Sequence, residues 1–120
     1  MTRQITLQLE PSAHAPRVSR SRLEELQDAL EPKYSDVAIV VSELVTNSVK
    51  HGNGTQEISV EVTAGRERIS VVVTDEGPCF TKEASRNGGM GLEIVDQIAE
   101  RWEVLGNDGC QVRVEISRVI

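Results

Sequence analysis

Hydrophobic positions along the 120-residue chain change period several times, and each change marks an element. Ile5, Leu7 and Leu9 alternate with Thr6, Gln8 and Glu10, the period of two expected of a half-buried strand, which Pro11 ends. An edge or near-edge position suits it. Ser12 to Pro16 reads as a loop. Val18, Leu23, Leu26, Ala29 and Leu30 then give the core face of a first amphipathic helix that stops before Pro32. Ser35 or Asp36 is a good N-cap for a second helix, which ends at Gly52. Ile58, Val60 and Val62 alternate on one side of the turn Ala64-Gly65-Arg66-Glu67, and Ile69, Val71 and Val73 on the other, which predicts a hairpin. Leu92, Val95, Ile98, Ala99 and Trp102 mark the core face of a third helix. After the turn signal Gly106-Asn107-Asp108-Gly109, Val112, Val114 and Ile116 alternate as a last strand.

The order β-α-α-β-β-α-β predicts a two-layer α/β sandwich of the α+β class, with residues 1–120 forming one domain. About three helices cover one face of a mixed, mostly antiparallel sheet. Aromatic residues are confined to Tyr34, Phe80 and Trp102, so Val, Ile and Leu must build the core. A formal net charge of −6 argues against direct binding to a nucleic-acid backbone, which favours a basic patch. No apolar run approaches the roughly 20 residues of a membrane span, and no apolar signal segment opens the chain, so a cytoplasmic location is expected. Cys79 and Cys110 read as reduced, partly buried thiols, with a disulfide between them as the lesser alternative.

Candidate chemistry concentrates in three stretches. On the second helix Glu43, Asn47 and Lys50 share one narrow stripe at 100° per residue, opposite Val37, Val41, Leu44, Val45 and Ser48. A carboxylate, an amide and an ammonium thus stand side by side at the edge of a core. The amide oxygen of Asn47 suits Mg²⁺, a hard cation that also keeps waters and substrate phosphates in its shell. Glu43 suits a general base, and Lys50 the neutralisation of phosphate charge. The second stretch, Val71 to Phe80, runs from a buried strand into an acidic turn. There the Asp75 carboxylate suits an exocyclic amine such as adenine N6, and Gly77 lets the backbone approach a base. The third, Asn87-Gly88-Gly89-Met90-Gly91-Leu92, offers backbone N–H groups before a helix, a phosphate-binding arrangement. Singly, each has a plainer role: a solvated helix face, a turn-forming Asp, a flexible loop.

Taken in order, Glu43-x-x-x-Asn47, Asp75-x-Gly77 and Gly89-x-Gly91-Leu92 resemble the N, G1 and G2 nucleotide-binding boxes of the GHKL (Bergerat-fold) ATPases. The runs Ser42 to Gly52 and Gly89 to Asp96 are more narrowly similar to the small bacterial anti-sigma-factor serine kinases. That resemblance implies ATP and Mg²⁺ as cofactors. It also implies Glu43 as the general base, Asn47 as the metal ligand, Asp75 as the adenine contact, and Gly77, Gly89 and Gly91 as backbone elements of the pocket. Relatives of this kind sequester a sigma factor and phosphorylate a serine or threonine on a small STAS-type antagonist of the anti-sigma factor, so regulating transcription. They often form homodimers.

The chain departs from the family pattern at two positions. The G1 box usually continues to a second glycine, where Cys79 follows Pro78 here, and the last strand often opens with Ser or Thr near the adenine, where Cys110 and Gln111 follow Gly109. These departures keep open an alternative, a non-catalytic Bergerat-fold module that captures a partner with weak or no ATP turnover. The seven residues Thr81 to Asn87 are too few for the long lids of topoisomerase-like or chaperone ATPases.

Overall fold

The alternation at the start of the chain produces strand β1 (Arg3–Leu9), in which Ile5, Leu7 and Leu9 are buried and the intervening residues exposed. The computed structural model describes residues 2–51, 56–82, 92–106 and 108–119. The first helical region is broken into α1 (Ala15–Leu23), a 3₁₀ turn (Glu24–Leu26) and α2 (Gln27–Leu30). Its inner face is Ala15, Ser19, Leu23, Leu26 and Leu30. Val18, expected in the core, is 45% exposed, because the helix is phased on Ala15, Ser19 and Leu23 at i, i+4 and i+8. Ser19 is buried without penalty, since its hydroxyl donates to the Pro16 carbonyl at 2.7 Å.

Helix α3 (Tyr34–His51) starts slightly earlier than the Ser35 or Asp36 cap predicted, with the Val37 N–H already bonded to the Lys33 carbonyl. It buries Val37, Val40, Val41, Leu44 and Val45 against the sheet. Gly52, its expected stop, lies outside the described residues, as does the loop to Thr55. The predicted hairpin forms as β2 (Ile58–Ala64) and β3 (Arg68–Asp75), paired antiparallel with Val62 opposite Val71.

The largest correction concerns the region after the hairpin. Helix α4 (Glu93–Ile98) is only 6 residues long, and Ala99 turns to extended backbone with ψ 141°. A strand not anticipated from sequence follows, β4 (Arg101–Gly106), before β5 (Cys110–Ser117). Trp102 is buried as expected, but on the inner face of this strand instead of on a helix. Its indole N–H donates to Asp96 Oδ1 at 2.8 Å, and the Lys82 ammonium sits 4.7 Å above the ring centroid. Spacing decided the misreading. Val95, Ile98 and Trp102 fit a helical face, while Arg101 to Val104 alternate equally well as a strand, and pairing with β5 settles the choice.

Among the described residues the sheet therefore has five strands in the order β1-β2-β3-β5-β4 and every pair is antiparallel, so the expected mostly antiparallel sheet forms, with one strand more than predicted and no parallel pair. All described helices lie on one face, as predicted, and Ile58, Val60, Val62, Ile69, Val71, Val73, Val112, Val114 and Ile116 meet them there. The opposite face is polar and carries cross-strand partners such as Arg101 with Glu115 and Gln111 with Thr74. At the C-terminal end of β5 the Arg118 guanidinium donates to the carbonyls of Gly65, Glu31 and Ala29, joining the hairpin turn to the end of α2. Among the described residues no helix is long and apolar enough to cross a membrane.

Candidate functional site

The second half of α3 carries the polar stripe along the margin of the core. Glu43 is half-buried, Asn47 is only 6% exposed and Lys50 is exposed, so the middle residue of the stripe is the most deeply packed. The Asn47 carboxamide oxygen Oδ1 has no hydrogen-bond partner among the described residues. A buried acceptor left unmade costs about 1–3 kcal/mol, and natural folds rarely carry one without a purpose. A lone amide oxygen is a suitable donor for a hard cation whose remaining sites are filled by water and phosphate oxygens. It is not an all-protein metal cage, and no group of three or more His, Cys, Asp and Glu gathers to hold a metal among the described residues.

Across the layer boundary, Asp75 ends β3 beside the same helix. Ser48 Oγ donates to Asp75 Oδ2 at 2.7 Å, and the Gly77 N–H donates to Oδ1 at 2.8 Å. Both carboxylate oxygens are held while lone pairs remain free to accept from an amine. Periodicity places Ser48 on the mainly apolar face, and its bond to Asp75 is the contact that periodicity does not reveal. Its sequence signal is a small polar residue directly after Asn47 on an otherwise apolar helix face, and in the structure it is 7% exposed.

The turn beyond Asp75 is fitted onto the β4–β5 connection. Gly109 has φ +126°, and a Cβ there would fall 2.5 Å from the Asp75 carbonyl oxygen; at Gly106 a Cβ would lie 3.1 Å from Cys79 Cβ. Glycine is thus required at position 109 by both backbone conformation and close approach. Cys110 stands opposite Asp75 in the β3–β5 register. Cys79 and Cys110 are joined as a disulfide, with Cα atoms 4.7 Å apart, which corrects the expectation of two reduced thiols. The reason is topological: inserting β5 beside β3 brings position 110 next to the turn that returns from Asp75.

Of the predicted site residues, Glu43, Asn47 and Lys50 lie on one helix, Asp75 meets that helix through Ser48, and Gly77 bonds to Asp75. Gly89 and Gly91, with the rest of the glycine cluster, lie outside the described residues. Leu92 is described and is a core side chain, 1% exposed. A separate concavity lined by Glu61, Arg101, Glu103, Arg113 and Glu115 is on the helix-free face, away from all of these groups.

Residues 5–116 match the family described as the histidine kinase-like ATPase domain. The chain is 28% identical to the serine-protein kinase RsbW of Listeria monocytogenes serotype 4a (strain HCC23) over 130 aligned positions, covering 90% of this chain and 83% of the relative. It is 24% identical to the anti-sigma F factor of Bacillus cereus (strain ATCC 14579), covering 87% and 82%. Among solved structures, that of the RsbU and RsbW domains of Rv1364c from Mycobacterium tuberculosis superposes with a TM-score of 0.75 at 20% identity, over 96% of this chain. The chain spans 32% of that longer protein, and the likeness is one of fold. With a family match running from the first strand to the last, this chain belongs to the histidine kinase-like ATPase domain family.

Proposed function

We propose that this chain is an ATP-dependent protein-serine/threonine kinase that acts as an anti-sigma factor, holding a sigma factor and phosphorylating a small STAS-type antagonist. Residues 1–120 act as one domain in the cytoplasm. The observation that carries the reading is the buried Asn47 Oδ1, without a partner among the described residues, one helical turn from Glu43 and next in sequence to the Ser48 that holds Asp75. The names of the relatives, a serine-protein kinase and an anti-sigma F factor, support the choice of substrate class and partner.

In this reading Asp75 accepts a hydrogen bond from the adenine amine, and Gly77 presents backbone to the base. Gly89 and Gly91 give backbone room to the phosphates, with Leu92 anchoring the segment that follows in the core. Asn47 would be the protein ligand to Mg²⁺, which when bound would neutralise phosphate charge. Lys50 adds a second positive charge from the solvent side. Glu43 takes the proton from the antagonist's hydroxyl as its oxygen bonds to the γ-phosphorus and the bond to the ADP oxygen breaks.

Two assays test the proposal. In the first, the protein is titrated calorimetrically with ATP and Mg²⁺ alongside Asp75→Asn, whose native fold is checked by circular dichroism. Binding by the wild type and its loss in the variant is expected. In the second, the protein, ATP and a STAS-type antagonist from the same organism are followed for phosphoserine or phosphothreonine by mass spectrometry. ATP binding without transfer to that antagonist would favour the partner-capture module over the kinase.

A further inference from the structure

The cysteine pair lies inside the element that the proposed nucleotide site depends on. Cys79 is four positions beyond Asp75, and Cys110 faces Asp75 across the β3–β5 ladder and Gly106 across the β4–β5 ladder. Between the two cysteines the turn is held by the Gly77 N–H bond to Asp75 and by close packing of Gly109 on the Asp75 carbonyl. The two partners differ in accessibility. Cys79 is exposed, whereas Cys110 is buried at 4%. An incoming thiolate therefore approaches the bond from the Cys79 side.

We propose that Cys79–Cys110 is a reversible thiol–disulfide site that locks the Asp75–Cys79 turn onto β5, and that nucleotide affinity follows its redox state. The second half of this inference rests on reading Asp75 as the base contact; the lock itself does not. Reduction proceeds by exchange with a low-molecular-weight thiol. The thiolate attacks Cys79 Sγ, forming a mixed disulfide, and Cys110 leaves as a thiolate that takes up a proton. A second thiolate attacks the external sulfur of the mixed disulfide, so that Cys79 is released as a thiol and the external disulfide departs. One protein disulfide and two external thiols thus become two protein thiols and one external disulfide, a two-electron transfer. In the oxidised protein the turn is preorganised, with Asp75 fixed from both sides. In the reduced protein nucleotide binding has to order the turn as well.

The full-length chain is equilibrated with oxidised glutathione or with dithiothreitol, free thiols are counted with Ellman's reagent, and each state is examined by hydrogen exchange and by calorimetry with ATP and Mg²⁺. The oxidised form should show no free thiol and the reduced form two. Amides of the 76–80 segment should exchange at least about tenfold faster after reduction. ATP affinity should fall by about five- to tenfold. The variant carrying both Cys79→Ser and Cys110→Ser should behave as the reduced protein in either buffer. Thiols that stay free throughout the glutathione series overturn the proposal, as does equal exchange of the 76–80 amides in the two states. Redox-dependent exchange with unchanged or higher ATP affinity on reduction overturns the coupling. If exchange depends on redox state but ATP binds in neither, the lock stands and the nucleotide reading has failed.

Discussion

Ser48 on α3 and Asp75 at the end of β3, 27 residues apart, are joined by a 2.7 Å hydrogen bond from hydroxyl to carboxylate. This contact ties the carboxylate to the helix that carries Asn47, the residue before Ser48, while the Gly77 N–H holds its other oxygen. Ser48→Ala leaves the carboxylate held only by Gly77. The expected loss is about 1.5–3 kcal/mol in urea denaturation, the range for a hydrogen bond to a charged group. ATP affinity should weaken by about tenfold, because Asp75 gains rotational freedom. An unchanged affinity would mean that Ser48 only stabilises the fold.

Asn47→Ala separates a ligand from a structural residue. Its Oδ1 has no partner among the described residues to lose, so stability of the nucleotide-free protein should change by less than about 1 kcal/mol. The neighbouring Leu44→Ala, at a position 1% exposed, should cost about 2–5 kcal/mol. Mg²⁺-dependent ATP affinity, measured calorimetrically, should nevertheless fall about ten- to hundredfold in Asn47→Ala. A large stability loss with ATP binding retained would show that the amide serves packing.

Glu43→Gln keeps the shape of the side chain and removes its capacity to take a proton. Phosphotransfer to the cognate antagonist should drop by about 10²–10⁴-fold, with ATP affinity unaltered. Transfer at the wild-type rate would place the base elsewhere.

Gly109→Ala tests the seating of the turn. With φ at +126° and the new Cβ 2.5 Å from the Asp75 carbonyl oxygen, the substitution should cost about 1–3 kcal/mol and reduce ATP affinity together. Gly65→Ala places a Cβ 2.7 Å from the Arg68 carbonyl oxygen in the distant hairpin turn. It should destabilise without altering ATP affinity, so the pair distinguishes a local effect on the site from general loss of stability.

Much of the fold was legible because its signals are local. The alternations of Ile5–Leu9, Ile58–Val62, Ile69–Val73 and Val112–Ile116 each produced a strand with the predicted residues inward. The phase of α3 put Glu43, Asn47 and Lys50 together, and the structure keeps them on one helix with Asn47 the most buried of the three. The errors occurred where two local readings were equally good. Val95, Ile98 and Trp102 satisfied a helix while Trp102 and Val104 satisfied a strand, and Val18 fitted a helical face whose phase was set by small residues at 15 and 19.

The sequence by itself determined the class of fold, the one helix that carries three polar groups in a line, and the order of stretches that marks the family. These depend on periodicity and spacing within a few turns or one strand, which the residues encode directly. Only the tertiary structure decided that β5 inserts between β3 and β4. That insertion turns the 101–106 stretch into a strand, sets Cys110 opposite Asp75 and brings Cys79 onto it. The helix layer closing on the sheet likewise turned Ser48 from a core-face residue into the partner of Asp75. Contacts across such separations follow from the register of strands and the packing of layers, and no local period specifies either.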